Sequence, residues 1–164
     1  MAPAQTSLLA KLDTQERVRD FLTNAVASGR ASHAYLFLGA PGAGKLDAAW
    51  ALAQAFLCEQ DGCGSCDSCV RVARHTHPDV HYYTPESATG YLIAQTRELL
   101  DDVPLAPIRA KAKVYIIDRA EQLRANTANA LLKTLEEPPE GVMFILLGTS
   151  ADAVSYTHLR AHET

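Results

Sequence analysis

Two groups of residues in this chain have the types and spacing for chemistry. The first is Gly39-Ala40-Pro41-Gly42-Ala43-Gly44-Lys45, which reads G-x-x-x-x-G-K. Glycines let such a loop curl until successive backbone N–H groups point inward as an anion nest. A helix beginning at the loop's end adds favourable potential for phosphate, and Lys45 adds a point charge for the outer phosphates. The second group is Cys58-x4-Cys63-x2-Cys66-x2-Cys69, which holds all four cysteines of the chain. Tetrahedral zinc takes four thiolates, C-x2-C turns present them in pairs, and Gly62 and Gly64 free the backbone to wrap a metal. With every position filled, the site is structural rather than catalytic. An iron–sulfur cluster also uses C-x2-C-x2-C, but the usual following Cys-Pro is missing. Redox catalysis needs one exposed pair, not four grouped thiols. His75, His77 and His81 lie nearby and read as surface or packing residues.

The phosphate loop carries two departures. Its eighth position should be Ser or Thr, whose hydroxyl holds magnesium, and here it is Leu46. Asp118 stands at the tip of an apolar run, where P-loop proteins place the carboxylate that faces magnesium, and Thr149 follows a later run. A glutamate often comes next after that Asp to prepare the attacking water. Here it is Arg119, which cannot act as a base at neutral pH, and the next acid is Glu121. The loop therefore supports phosphate binding, while metal-assisted hydrolysis loses its ligand and its base. No catalytic residue is assigned.

These groups must be placed by the elements around them. Asp13-Thr14-Gln15-Glu16 reads as a capping box opening a helix with Val18, Leu22, Ala25 and Val26 on one face, and Gly29 as its C-cap. Ala34 to Leu38 is an apolar run suited to a buried parallel strand. From Leu46 the pattern is helical, with Leu46, Ala49, Trp50, Ala53 and Leu57 on one face. A short helix is expected from Cys69, a strand over Val80 to Tyr83, a helix over Leu92 to Leu100, and a buried strand over Lys113 to Asp118. Thr127 to Glu137 is a helix stopped by Pro138-Pro139, and Val142 to Leu147 is a last strand. Strands alternating with helices predict an α/β fold with a parallel sheet.

A chain of 164 residues and 48% apolar content suits one domain with a real core. Fifteen Lys+Arg against nineteen Asp+Glu give a net charge of −4, which argues against a chain coated for nucleic acid. Lys11 and Asp13 interrupt the N-terminal stretch before it resembles a signal peptide, and no apolar run matches a membrane span, so the expected location is the cytoplasm without membrane partners.

A P-loop helix running straight into a four-cysteine module resembles bacterial DNA polymerase III clamp-loader subunits of the AAA+ class. Ser32-His33-Ala34-Tyr35-Leu36-Phe37, His77-Pro78-Asp79 and Lys113-Val114-Tyr115-Ile116-Ile117-Asp118 match that family as they stand. The most specific match is Asn129-Ala130-Leu131-Leu132-Lys133-Thr134-Leu135-Glu136-Glu137-Pro138-Pro139. The resemblance implies a P-loop (AAA+) sheet with a zinc module inserted at residues 58–69. It implies nucleotide contacts at Gly39, Gly42, Ala43, Gly44, Lys45 and Asp118, with Thr149 as a polar sensor, and zinc at Cys58, Cys63, Cys66 and Cys69. It also implies Glu136 to Pro139 near a subunit interface; the helical spacing by itself turns Leu131, Leu132 and Leu135 inward. Motor subunits (gamma/tau) keep the loop Ser/Thr and the glutamate; the delta-prime type has often lost them and serves as a stator. Leu46 and Arg119 favour the delta-prime type. Partners would be gamma/tau and delta subunits, with the sliding clamp and primer–template DNA reached through the assembly. The domain is expected over residues 1–154. Residues 155–164 replace an expected Ser-Arg-Cys continuation and read as a truncated or chimeric end, so no trans-acting arginine is carried onto Arg160.

Overall fold

The computed structural model of the chain describes Leu8, Leu9, Leu12 and residues 16–149. Its elements alternate as the sequence pattern requires. Helix α1 (Glu16–Ala27) precedes strand β1 (Ala34–Leu38), and α2 (Lys45–Leu57) leads to α3 (Asp67–Ala73). Strand β2 (Val80–Tyr83), helix α4 (Ile93–Asp102), strand β3 (Lys113–Ile117), a 3-10 turn (Ala120–Gln122), helix α5 (Ala125–Glu136) and strand β4 (Val142–Gly148) follow. The strands form one parallel sheet in the order β1-β4-β3-β2.

The two central strands explain their own composition. Every residue of β3 and of β4 is buried, because helices cover both faces and strands flank both sides. Along β3 the side chains alternate. Val114 and Ile116 join Met143, Ile145 and Leu147 in a core with α1 and α2. Tyr115 and Ile117 join Phe144 and Leu146 in a second core with α4 and α5. Leu131, Leu132 and Leu135 are buried as their helical spacing predicted.

Three expectations need correction. Strand β1 is only half-buried, and Leu38 is exposed, because among the described residues β1 pairs with β4 alone. Helix α2 has no single apolar face: Ala48 to Ala55 are all buried, since α1, α3 and the sheet surround it and small alanines allow close approach. The helix expected from Cys69 starts at Asp67, and α5 starts at Ala125, each earlier than its apolar pattern suggests. Gly29 (φ 71) does close α1, with Arg30 N–H on Ala25 and Gly29 N–H on Val26, the Schellman pattern. Asp13 of the expected capping box and the whole of residues 150–164 lie outside the described residues. Among the described residues, no helix is long and apolar enough to cross a membrane.

Candidate functional site

The sheet's topology gathers the phosphate-loop residues at its C-terminal edge. Gly42 (φ 82) and Gly44 (φ 90, the N-cap of α2) take left-handed backbone that other residues adopt only at a cost, and so let the loop turn from β1 into α2. Gly42, Gly44, Lys45, Leu46, Asp118, Arg119, Glu121 and Thr149 line one cleft of about 570 Å³. Gly39 enters through its carbonyl, which accepts from Lys45 Nζ at 2.6 Å; the carbonyl of Gly148 at the end of β4 accepts from the same ammonium at 3.0 Å. Lys45 thus ties the loop to β4 and keeps one of its three donors for a ligand. Ala43 lies apart, in a neighbouring groove with Val18 and Leu38.

Asp118 is held from several directions. Tyr82 donates its hydroxyl to Asp118 Oδ2 at 2.9 Å, and the N–H of Arg119 donates to Oδ1 at 2.9 Å. Asp118 N–H donates to Tyr83 O at 2.8 Å, and the buried Tyr91 hydroxyl lies between the carbonyls of Tyr83 and Asp118. Burial, together with the Asp118 acceptor, pushes the Tyr82 phenol up, so it remains a donor. Sequence reasoning missed Tyr82 and Tyr91. The pairing of β2 with β3 sets Tyr82 opposite Ile116, two residues before Asp118, a register that neither segment alone reveals.

The four cysteines converge. Their Sγ atoms all lie within 4.8 Å of one another, with Cys58 to Cys66 at 3.8 Å and Cys63 to Cys69 at 4.0 Å. A tetrahedron with metal–sulfur bonds of about 2.3 Å has edges of about 3.8 Å. Backbone N–H groups aim at the sulfurs as they would at thiolates: Gln60 and Cys63 on Cys58, Ser65 and Cys66 on Cys63, and Cys69 on Cys66, at 3.3–3.4 Å. The amide and hydroxyl of Ser65 and the amide of Cys66 bring the Cys63 thiol down to about 6. Burial pushes those of Cys66 and Cys69 up, and a bound cation would offset that cost. The donor set can therefore hold a metal ion.

The module is fastened to the fold by polar contacts. Buried Gln54 of α2 donates to Cys69 O at 2.9 Å and accepts from Leu8 N–H at 2.8 Å. Asp67 pairs with Arg71 (2.9 Å) and Arg109 (2.8 Å). His75, His77 and His81 are not among the metal-ligating group. His75 stacks on Trp50 at 3.8 Å, His77 Nδ1 accepts the N–H of Asp79 at 3.0 Å, and His81 pairs with Asp102 at 3.2 Å. His33 Nε2 lies 3.1 Å from the carbonyl of Leu135 and so serves the end of α5.

A parallel sheet with a phosphate loop between β1 and α2, and a carboxylate at the tip of β3 across the cleft, defines the P-loop class of AAA+ architecture. Solved structures share it. A DNA polymerase III gamma subunit-related protein of Thermotoga maritima superposes with TM-score 0.58 at 19% identity, over 88% of this chain and 43% of that one. The Thermotoga maritima RuvB Holliday junction branch migration motor superposes with TM-score 0.54 at 19% identity, over 90% of this chain and 42% of that one.

The family model described as "DNA polymerase III, delta subunit" matches residues 14–159, and the chain belongs to this family of DNA polymerase III clamp-loader subunits. DNA polymerase III subunit delta' of Bacillus subtilis (strain 168) is 41% identical over 138 residues, 82% of this chain and 42% of that protein. DNA polymerase III subunit tau of Escherichia coli (strain K12) is 42% identical over 149 residues, 88% of this chain and 23% of that protein. The chain thus spans less than half the length of these relatives.

Proposed function

We propose that this chain is the nucleotide-binding-type domain of a delta-prime-like stator in a DNA replication clamp loader. In this reading it binds nucleotide without turning it over, and meets gamma/tau and delta subunits while the assembly places a sliding clamp on primer–template DNA. One observation carries the reading: the cleft presents Leu46 and Arg119 where hydrolysis needs a hydroxyl ligand and a water-positioning carboxylate. Zinc at Cys58, Cys63, Cys66 and Cys69 is the metal the sulfur geometry suits, in a structural role. The exposed Glu136, Glu137 and Pro138 at the end of α5 are available for a neighbouring subunit, and the cytoplasm is the compartment of such a machine.

The intact Gly39 to Lys45 loop and the likeness to a tau subunit favour a second reading, a gamma/tau-like ATP-hydrolysing motor. The discriminating experiment mixes this chain with purified gamma/tau and delta subunits and follows ATP turnover of the complex. Turnover unaffected by Lys45→Ala in this chain supports the stator. A fall in turnover on Lys45→Ala, or failure to form a complex, overturns it.

A further inference from the structure

P-loop proteins hold magnesium with a hydroxyl after the loop lysine and a carboxylate at the tip of the neighbouring strand. The hydroxyl half of that pair is missing from this cleft. Leu46 lines the cleft and offers no ligand atom. Both carboxylate oxygens of Asp118 already accept hydrogen bonds, from Tyr82 and from the N–H of Arg119. Arg119, by contrast, adds a cationic residue to the cleft lining; it is exposed and has no ion-pair partner among the described residues. Its backbone is left-handed (φ 49, ψ 56), a conformation a bulky residue rarely takes. The turn is closed on both sides, by its N–H on Asp118 and by its carbonyl, which accepts from Gln122 N–H at 2.9 Å.

We propose that Arg119 supplies the positive charge that magnesium supplies elsewhere, so that this cleft takes a nucleotide's polyphosphate as a metal-free anion. The inference rests on the nucleotide reading above. Loop amides and Lys45 hold the phosphates from one side, and the planar fork of Arg119 meets them from the other, bidentate where Lys45 is a point charge. Two carboxylates oppose this arrangement, Asp47 in the first turn of α2 and Glu121 on the 3-10 turn. One oxygen of Glu121 is buried without a hydrogen-bond partner among the described residues, which makes Glu121 the group a metal would use.

The test is calorimetric titration of ATP into the full chain, once with magnesium and once with EDTA. The proposal expects affinities that agree within about threefold, a difference below 1 kcal/mol. Arg119→Gln should weaken binding in EDTA by about 10- to 100-fold, the range for hydrogen bonds to charged groups, and Arg119→Lys should recover part of that loss. Binding strengthened by magnesium about tenfold or more, with the gain lost in Glu121→Gln, overturns the proposal and leaves the nucleotide reading standing. Unchanged binding by Arg119→Gln in EDTA overturns it equally. The magnesium–EDTA comparison on the unsubstituted chain does not depend on whether any variant folds. No ATP binding in either condition overturns both readings together.

Discussion

Replacing Asp79 by Asn should cost this domain a large part of its stability, because one buried carboxylate holds three backbone amides. Asp79 is 0% exposed and accepts from the N–H groups of Ile108 (2.6 Å), Arg109 (2.7 Å) and Ala110 (2.7 Å). Its own N–H donates to His77 Nδ1, and its carbonyl accepts from Val114 at the start of β3. An asparagine keeps one acceptor oxygen and turns an NH2 group toward a backbone donor. At least one charge-assisted bond, worth about 1.5–3 kcal/mol, is lost, and one buried N–H is stranded at about 1–3 kcal/mol. The sum is about 2.5–6 kcal/mol, against about 5–15 for a whole domain. Burial alone would raise the Asp79 pKa; the three amides overcome it and hold the carboxyl below the usual range. A group with a depressed native pKa binds fewer protons folded than unfolded. Its contribution is therefore full above the unfolded value of about 3.9 and is lost as pH falls through the native value. Urea denaturation of both proteins from neutral to acidic pH measures this. The gap between them should be widest at neutral pH and close below about pH 4. Asp102, also held below the usual range, is present in both and cancels from the difference. A gap below about 1 kcal/mol, or one that does not change with pH, would refute the assignment of Asp79 as the anchor of this loop.

Zinc chelation should unfold the module from Cys58 to Cys69 and leave most of the sheet folded. Fluorescence of Trp50, the chain's single tryptophan and stacked on His75 just beyond α3, should report the change while strand circular dichroism persists. Metal analysis that finds iron, or no zinc, would overturn the zinc assignment. Gly90→Ala should destabilise by about 1–3 kcal/mol, because its φ of +128 is strained for alanine and the new Cβ would lie 3.0 Å from Gln122 O. Gly29→Ala, with open space around its Cβ, should cost only about 1 kcal/mol, and thermal melts compare the two.

Much of this was legible because strong local patterns agreed with tertiary structure. The runs of β3 and β4 are central strands buried on both faces, and nothing in their context overrides an unbroken apolar reading. The cysteine spacing located a group of four converging thiols that can hold a metal ion, because C-x2-C turns place paired thiols by backbone geometry alone. The run of β1 looked just as buried, yet edge position depends on which strand pairs with which, information no short window contains. Helix α2 failed for the opposite reason: its alanines carry little periodic signal, and the burial around them comes from α1, α3 and the sheet. Tyr82, Tyr91 and Asp79 act through contacts made 27 to 36 residues along the chain, so their roles appeared only when the sheet register was known.

In the reading proposed above, Leu46 and Arg119 leave a cleft that holds a nucleotide without turning it over. Steady-state ATP hydrolysis by this chain in magnesium, beside Lys45→Ala, tests it most directly. No turnover above the variant's background is expected. Turnover that Lys45→Ala abolishes would contradict that reading and return the domain to the motor subunits.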